Sequence, residues 1–102
     1  MLEIYNYKDL KKLLEYKRQY LTLIYFYCND ISYPEIEEII NKKNYNNNVS
    51  IIKINCDCKE ILDNMYVTTS PIIRLYRDNT LTDEIYCSYN NIKDILTNLI
   101  NY

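Results

Sequence analysis

The sequence predicts an α/β fold: a central mixed sheet of five strands with helices on both faces. Three observations predict it. Strand-like and helix-like stretches alternate in the order β-α-β-α-β-α-β-β-α, which implies parallel strands joined by crossover helices. Leu21–Tyr27 is a near-continuous apolar and aromatic run, suited to a strand buried on both faces. Met65–Asn79 holds a polar turn, Pro71, an apolar run and a second turn. Pro71 has no N–H to donate and suits the first residue of a strand. Ile72, Ile73, Leu75 and Tyr76 continue that strand, Asp78-Asn79 turns, and Leu81–Tyr86 returns as its hairpin partner.

The remaining elements follow in order. Leu2 and Ile4, with Tyr5 at its end, give a short first strand. Asn6 is placed to cap a helix over Tyr7–Tyr20. Leu10, Leu13, Leu14 and Tyr20 lie near one face of it, and Lys11, Lys12, Glu15 and Lys17 near the other. After Leu21–Tyr27, Ser32 and Glu35 have capping-box spacing and Pro34 sits in the first turn of a second helix. Ile36, Ile39 and Ile40 are its apolar face, and Asn44–Asn48 is a polar loop. Val49–Cys56 reads as another buried strand. Asp57 is placed to cap a short helix over Cys58–Met65. Asn90–Ile100 is a last amphipathic helix with Ile92, Ile95, Leu96, Leu99 and Ile100 in its stripe. One domain spanning residues 1–102 is expected.

Composition bounds the function. A net charge of -2 gives no electrostatic reason to expect nucleic acid or an acidic membrane surface. No apolar run approaches the roughly 20 residues of a membrane helix. Met1–Tyr5 lacks the basic start and apolar core of a signal peptide, so a soluble cytoplasmic chain is expected. There is no Gly, Ala, His or Trp, while Ile, Asn, Lys and Tyr abound, as an A/T-rich genome would impose; a large DNA virus or a parasite are examples. Without Gly, positions of positive φ fall to Asn or Asp. Without His, no Cys-His or Ser-His pair and no histidine metal ligand exists. Without a Gly-rich loop there is no phosphate cradle of that kind. The 13 tyrosines follow from codon bias and strand propensity better than from base stacking, which needs a basic surface.

Three stretches carry a family resemblance. Leu23-Ile24-Tyr25-Phe26-Tyr27 is similar to the strand that leads to the active site of thioredoxin-like proteins. Val49-Ser50-Ile51-Ile52-Lys53-Ile54-Asn55-Cys56-Asp57 is similar to a strand of protein disulfide isomerase domains. Tyr66-Val67-Thr68-Thr69-Ser70-Pro71-Ile72-Ile73-Arg74-Leu75-Tyr76 is similar to the segment that holds the family's cis proline. Together, in order, they resemble the thioredoxin-like family, its disulfide isomerase domains in particular, over essentially the whole chain. The resemblance implies a cis Ser70–Pro71 bond. It also implies that Thr69, Ser70 and Pro71 border a groove where an extended peptide adds as a strand.

The family's chemistry needs Cys-x-x-Cys at the start of the second helix, where the helix dipole lowers one thiol's pKa and the second thiol resolves the mixed disulfide. This sequence has Cys28-Asn29-Asp30-Ile31-Ser32-Tyr33-Pro34 there. A gap-free reading from the strand puts Asp30 and Tyr33 at the cysteine positions. Anchoring on Pro34-Glu35-Ile36-Glu37-Glu38 deletes the motif and a helical turn. The family's buried acid falls at Ile24, its paired lysine at Lys53, and two of its glycines at Asn79 and Ser88.

Each cysteine has two readings. Cys28 is a candidate catalytic thiol able to form a mixed disulfide, or a small buried hydrophobe ending a strand; the general burial of free cysteine favours the second. Cys56 reads as buried by the same rule. Cys56-Asp57-Cys58 supplies at most half of a tetrahedral metal site, so no metal and no cofactor are expected. Cys87 reads as structural. The expected function is a redox-inactive module that binds a protein or an extended peptide. The alternative is a divergent thiol-disulfide oxidoreductase using Cys28, with Cys56 or Cys58 as its partner. Strand directions in the family's arrangement gather Cys28, Cys56, Pro71 and Cys87 at one edge of the sheet. Cys28 and Cys56 then lie within one or two strand spacings of about 4.8 Å.

Overall fold

The computed structural model describes residues 2–16, 21–42, 49–88 and 91–100. In chain order the elements are β1 (Leu2–Glu3), α1 (Tyr7–Tyr16), β2 (Leu21–Tyr27), α2 (Pro34–Lys42), β3 (Val49–Asn55), α3 (Lys59–Asn64), β4 (Ile72–Arg77), β5 (Thr80–Tyr86) and α4 (Ile92–Ile100). They form one five-stranded sheet in the order β1-β3-β2-β4-β5. The β1–β3 and β3–β2 pairs are parallel, and β2–β4 and β4–β5 are antiparallel.

The sheet is central because β2 is apolar on both sides. Leu21, Leu23 and Tyr25 join Ile51, Ile73, Leu75 and Ile85 in a core closed by Ile36 and Ile40 of α2 and by Ile92 and Leu96 of α4. On the other face Ile24 and Phe26 join Ile52, Ile54, Ile72 and Tyr76 under Leu10 of α1 and Ile61 and Leu62 of α3. Truncating a fully buried isoleucine such as Ile24 or Ile52 to alanine is expected to cost about 2–5 kcal/mol.

Several expected boundaries shift. The α1 helix is observed to Tyr16; residues 17–20, expected to extend it, lie outside the described residues, as do the Asn44–Asn48 loop and the expected helix start at Asn90. Asn6 caps α1: its Oδ1 accepts from the Asp9 N–H at 2.9 Å, and its Nδ2 donates to Asp9 Oδ2 at 3.0 Å. Among the described residues, no hydrogen bond forms the expected Ser32–Glu35 capping box. The helix opens one residue later, at Pro34, and the Tyr33 carbonyl accepts from Ile36 and Glu37 at 3.1 and 3.2 Å. Asp57 does not cap α3: the N-cap position falls to Cys58, which makes no side-chain bond, and the Asp57 N–H bonds Asn55 Oδ1 at 2.9 Å.

Without glycine the chain still needs positive φ. Asp78 (φ 50°) and Asn79 (φ 65°) form the two-residue turn between Arg77 and Thr80, the geometry that matches hairpin twist. Ser88, at the other expected glycine position, is not a positive-φ residue. Tyr66 is (φ 55°), against the expectation that Asn or Asp would fill every such position. It follows the α3 C-cap. Its N–H bonds the Asp63 carbonyl at 3.3 Å, and the Val67 N–H bonds Leu62 at 2.8 Å. This is the pattern that ends helices with a left-handed residue. At 85% exposure the tyrosine ring finds room that a buried ring would not.

Candidate functional site

β2 and β3 run in parallel and finish together, Tyr27 opposite Asn55. β4 runs the other way, so it begins where β2 ends, with Ile72 opposite Phe26. The next residues of all three strands therefore meet at one edge: Cys28, Cys56 and Pro71. Cys87 joins them, its N–H reaching the Pro71 carbonyl at 3.5 Å. The expected gathering is present.

All four cysteines are free. Cys28 and Cys56 are partly buried, not the enclosed hydrophobes that the burial rule favours, because both lie just past their strands. The Cys28 and Cys56 thiols are near neighbours, with the Ser70 hydroxyl beside Cys56. Burial pushes the Cys56 thiol up to about 11, with Cys28 adding to the rise and Ser70 opposing it. Cys58 does not join them. It is raised by burial and by the carboxylates of Glu3 and Asp57. Cys87 is 1% exposed, and burial, with Cys28 nearby, pushes it up to about 12. Among the described residues, no group of three or more His, Cys, Asp or Glu is placed to hold a metal.

Cys28 lies outside the first turn of α2. Cys28 precedes the first residue of α2 by six positions, 34 minus 28, while the field of a helix end fades within one turn. Asp30 is exposed in the turn closed by Ile31 N–H to the Cys28 carbonyl at 3.4 Å, and Tyr33 packs against the α2–α4 core. Lys53 and Ile24 fall on opposite faces of the sheet. Ile24 is in the core under α1 and α3, and the Lys53 ammonium sits 4.3 Å from the Tyr27 ring centre on the other side.

The Ser70–Pro71 bond is cis. Thr69 is exposed, and Ser70 and Pro71 are half-buried. One residue holding this loop was not singled out from sequence. Arg74 is 6% exposed inside an apolar face. Its guanidinium donates to the Met65 carbonyl at 2.6 Å, the Tyr66 carbonyl at 3.1 Å, Glu84 at 2.8 Å and the Tyr76 hydroxyl at 3.3 Å. It ties the C-terminus of α3, and the start of the loop to Pro71, into the sheet. The signal was an arginine in an otherwise apolar strand, where a charge persists only if paired.

Beside Cys28 on the α2 side lies a cavity of about 180 Å³, lined by Tyr25, Tyr27, Cys28, Lys53 and Glu37 with the 29–32 turn. Tyr27 donates to a Glu3 carboxylate oxygen and accepts from Asn55 Nδ2 at 3.4 Å. Burial and Glu3 push the tyrosine up to about 12. Burial, with Cys87 and Glu37 adding to it, also raises Tyr25.

No protein-family model matches the chain, and no curated protein matches it in sequence. Solved structures do match in shape. Malassezia sympodialis thioredoxin superposes with a TM-score of 0.76 at 14% identity, over 98% of this chain and 89% of that one. A cysteine-to-serine mutant of Entamoeba histolytica thioredoxin gives 0.76 at 21%, over 97% and 98%. Chlamydomonas reinhardtii thioredoxin f2 gives 0.75 at 23%, over 99% and 94%. Shape agreement over nearly the whole of each chain, with the strand order above, establishes that this chain has the thioredoxin fold.

Proposed function

We propose that the chain is a thioredoxin-fold binding module that receives an extended peptide along Thr69, Ser70 and Pro71, without efficient disulfide turnover. One observation carries this reading. Among the described residues, no backbone–backbone hydrogen bond engages Thr68, Thr69 or Ser70, and Thr68 and Thr69 are exposed. Main-chain donors and acceptors left open beside a strand are a template for strand addition. Ile31, 42% exposed in the turn after Cys28, offers apolar area for a peptide side chain. The reading needs no cofactor. A titration of ¹⁵N-labelled protein with reduced, alkylated insulin B chain tests it. Amide shifts centred on 68–72 and 29–31 are expected; shifts elsewhere alone, or none at millimolar peptide, contradict it.

A second reading, a thiol-disulfide oxidoreductase, is favoured by the Cys28–Cys56 contact. In that chemistry the Cys28 thiolate attacks a disulfide, one substrate sulfur leaves and takes up a proton, and Cys56 then attacks Cys28 to release the other. Cys56 holds its proton to high pH, which slows the second step. Insulin reduction with dithiothreitol separates the readings. Slow turnover is expected; turnover near that of an ordinary thioredoxin, lost in Cys28→Ser, would establish the second.

A further inference from the structure

The cavity beside Cys28 carries charges that a peptide backbone does not need. It lies at the carboxyl end of β2, where open α/β sheets place ligands. Lys53, from β3, and Glu37, from the first turns of α2, both line it with the Cys28 thiol. Among the described residues neither the Lys53 ammonium nor the Glu37 carboxylate is in an ion pair, and both are only partly buried. Lys53 rests on the Tyr27 ring, which fixes its head while leaving N–H donors free. The wall thus presents one cation, one anion and one nucleophilic sulfur. About 180 Å³, open to solvent on one side, is well under the roughly 300 Å³ at which drug-sized sites begin, so it holds one amino-acid head group while the rest of the ligand stays outside.

We propose that this cavity binds the amino-acid zwitterion of a small disulfide, cystine being the simplest, with its carboxylate on Lys53 and its ammonium on Glu37, and that Cys28 captures it as a mixed disulfide. The step balances without a further reactant. Cys28 gives up its proton and attacks one cystine sulfur. The bond from Cys28 to that half-cystine forms, the cystine S–S bond breaks, and the other half leaves as cysteine carrying the proton. Cys28 is oxidised and the departing half is reduced. The proposal rests on Cys28 being a reactive thiol, as in the second reading above, and adds what it reacts with.

The test uses full-length Cys56→Ser protein, so that an adduct on Cys28 is not resolved, and follows it by intact mass and peptide mapping. Four probes are compared: cystine, cystamine with ammonium groups only, dithiodiglycolate with carboxylates only, and uncharged hydroxyethyl disulfide. Adduct formation at Cys28 is expected to be fastest with cystine. Lys53→Met should slow cystine and dithiodiglycolate about fivefold each, the scale of one partly exposed ion pair, and leave cystamine unchanged. Glu37→Gln should slow cystine and cystamine and spare dithiodiglycolate. The spared probe shows in each variant that the fold and the thiol are intact. Equal effects on all four probes, or none, overturn the cavity proposal while leaving Cys28 reactive. No adduct at Cys28 with any probe overturns the cavity proposal together with the oxidoreductase reading.

Discussion

Two connections reach the same edge of the sheet and are built differently. The turn from β2 to α2, residues 28–33, holds Cys28. Within it a single long backbone bond, Ile31 to Cys28, closes a turn whose residues 29–32 are all exposed. The connection from β3 to α3 holds Cys56 and is pinned at every residue. Cys56 N–H bonds Tyr27 at 2.8 Å, Asp57 bonds the Asn55 side chain, Cys58 bonds the Asn55 carbonyl at 3.0 Å, and Lys59 bonds Asp57 at 2.9 Å. Beyond α3, Arg74 fixes the loop that leads to Pro71. The edge thus pairs a loosely tethered thiol with a thiol held at every neighbouring backbone position, and the loop to Pro71 is fixed only at its start.

Arg74 carries the largest expected effect. Arg74→Met should strip the Met65 and Tyr66 carbonyls of their donor and leave Glu84 without its partner. Glu84 is 37% exposed and regains water, so the cost falls on the orphaned carbonyls, about 1–3 kcal/mol, which urea unfolding would read. A loss under 1 kcal/mol would mean that the loop is not held by this residue.

Alkaline pH acts on the held thiols next. Cys56 and Cys87 keep their protons in the folded chain at pH values where unfolded thiols, near 9.0, have lost them. The unfolded state then binds fewer protons, so stability is intact below about pH 9 and falls as pH rises toward 11 and 12. Thermal midpoints measured from pH 8 to 11 should fall, and Cys87→Ala should flatten that slope. An unchanged slope would remove Cys87 from the account.

Asn55→Ala sharpens the contrast directly. It removes the side-chain bonds to the Asp57 N–H, Tyr27 and Asn29, and should cost about 1–2 kcal/mol. Asp30→Ala, in the loose turn, should stay within about 0.5 kcal/mol. Equal costs would erase the distinction between the two connections. The smallest effect is a gain. Tyr66→Gly relieves a left-handed residue and should stabilise by about 0.5–1 kcal/mol, read as a rise in urea midpoint.

Much of the fold was legible because its signals are local. The Leu21–Tyr27 run gave β2 residue for residue, Asn6 gave the α1 cap, and Asp78-Asn79 gave the hairpin turn. The strand arrangement that the family resemblance implies then placed Cys28 and Cys56 together without any contact being known. The Arg74–Glu84 pair was hidden by a bulge. Counting back evenly from the turn pairs Arg74 with Asp83, but Leu75 faces Asp83 and Tyr76 faces Leu81, so Thr82 is an extra residue and Glu84 comes opposite Arg74. The choice of Cys56 over Cys58 as the partner of Cys28 was also not legible. It depends on side-chain direction just past two strand ends, where the alternation of the strand no longer applies. Tyr66 was missed because a helix end of this kind advertises itself by glycine, and the chain has none.

The loosely tethered Cys28 lies beside the held Cys56. Neighbouring strand ends lie about 4.8 Å apart, inside the range of about 4.4–6.8 Å that a disulfide spans between Cα atoms. Mild oxidation of the native protein with diamide, followed by peptide mapping under non-reducing conditions, measures this most directly. An intramolecular Cys28–Cys56 disulfide is expected, with Cys58 and Cys87 still free. A Cys56–Cys58 bond, a disulfide only between chains, or four thiols left free would contradict it.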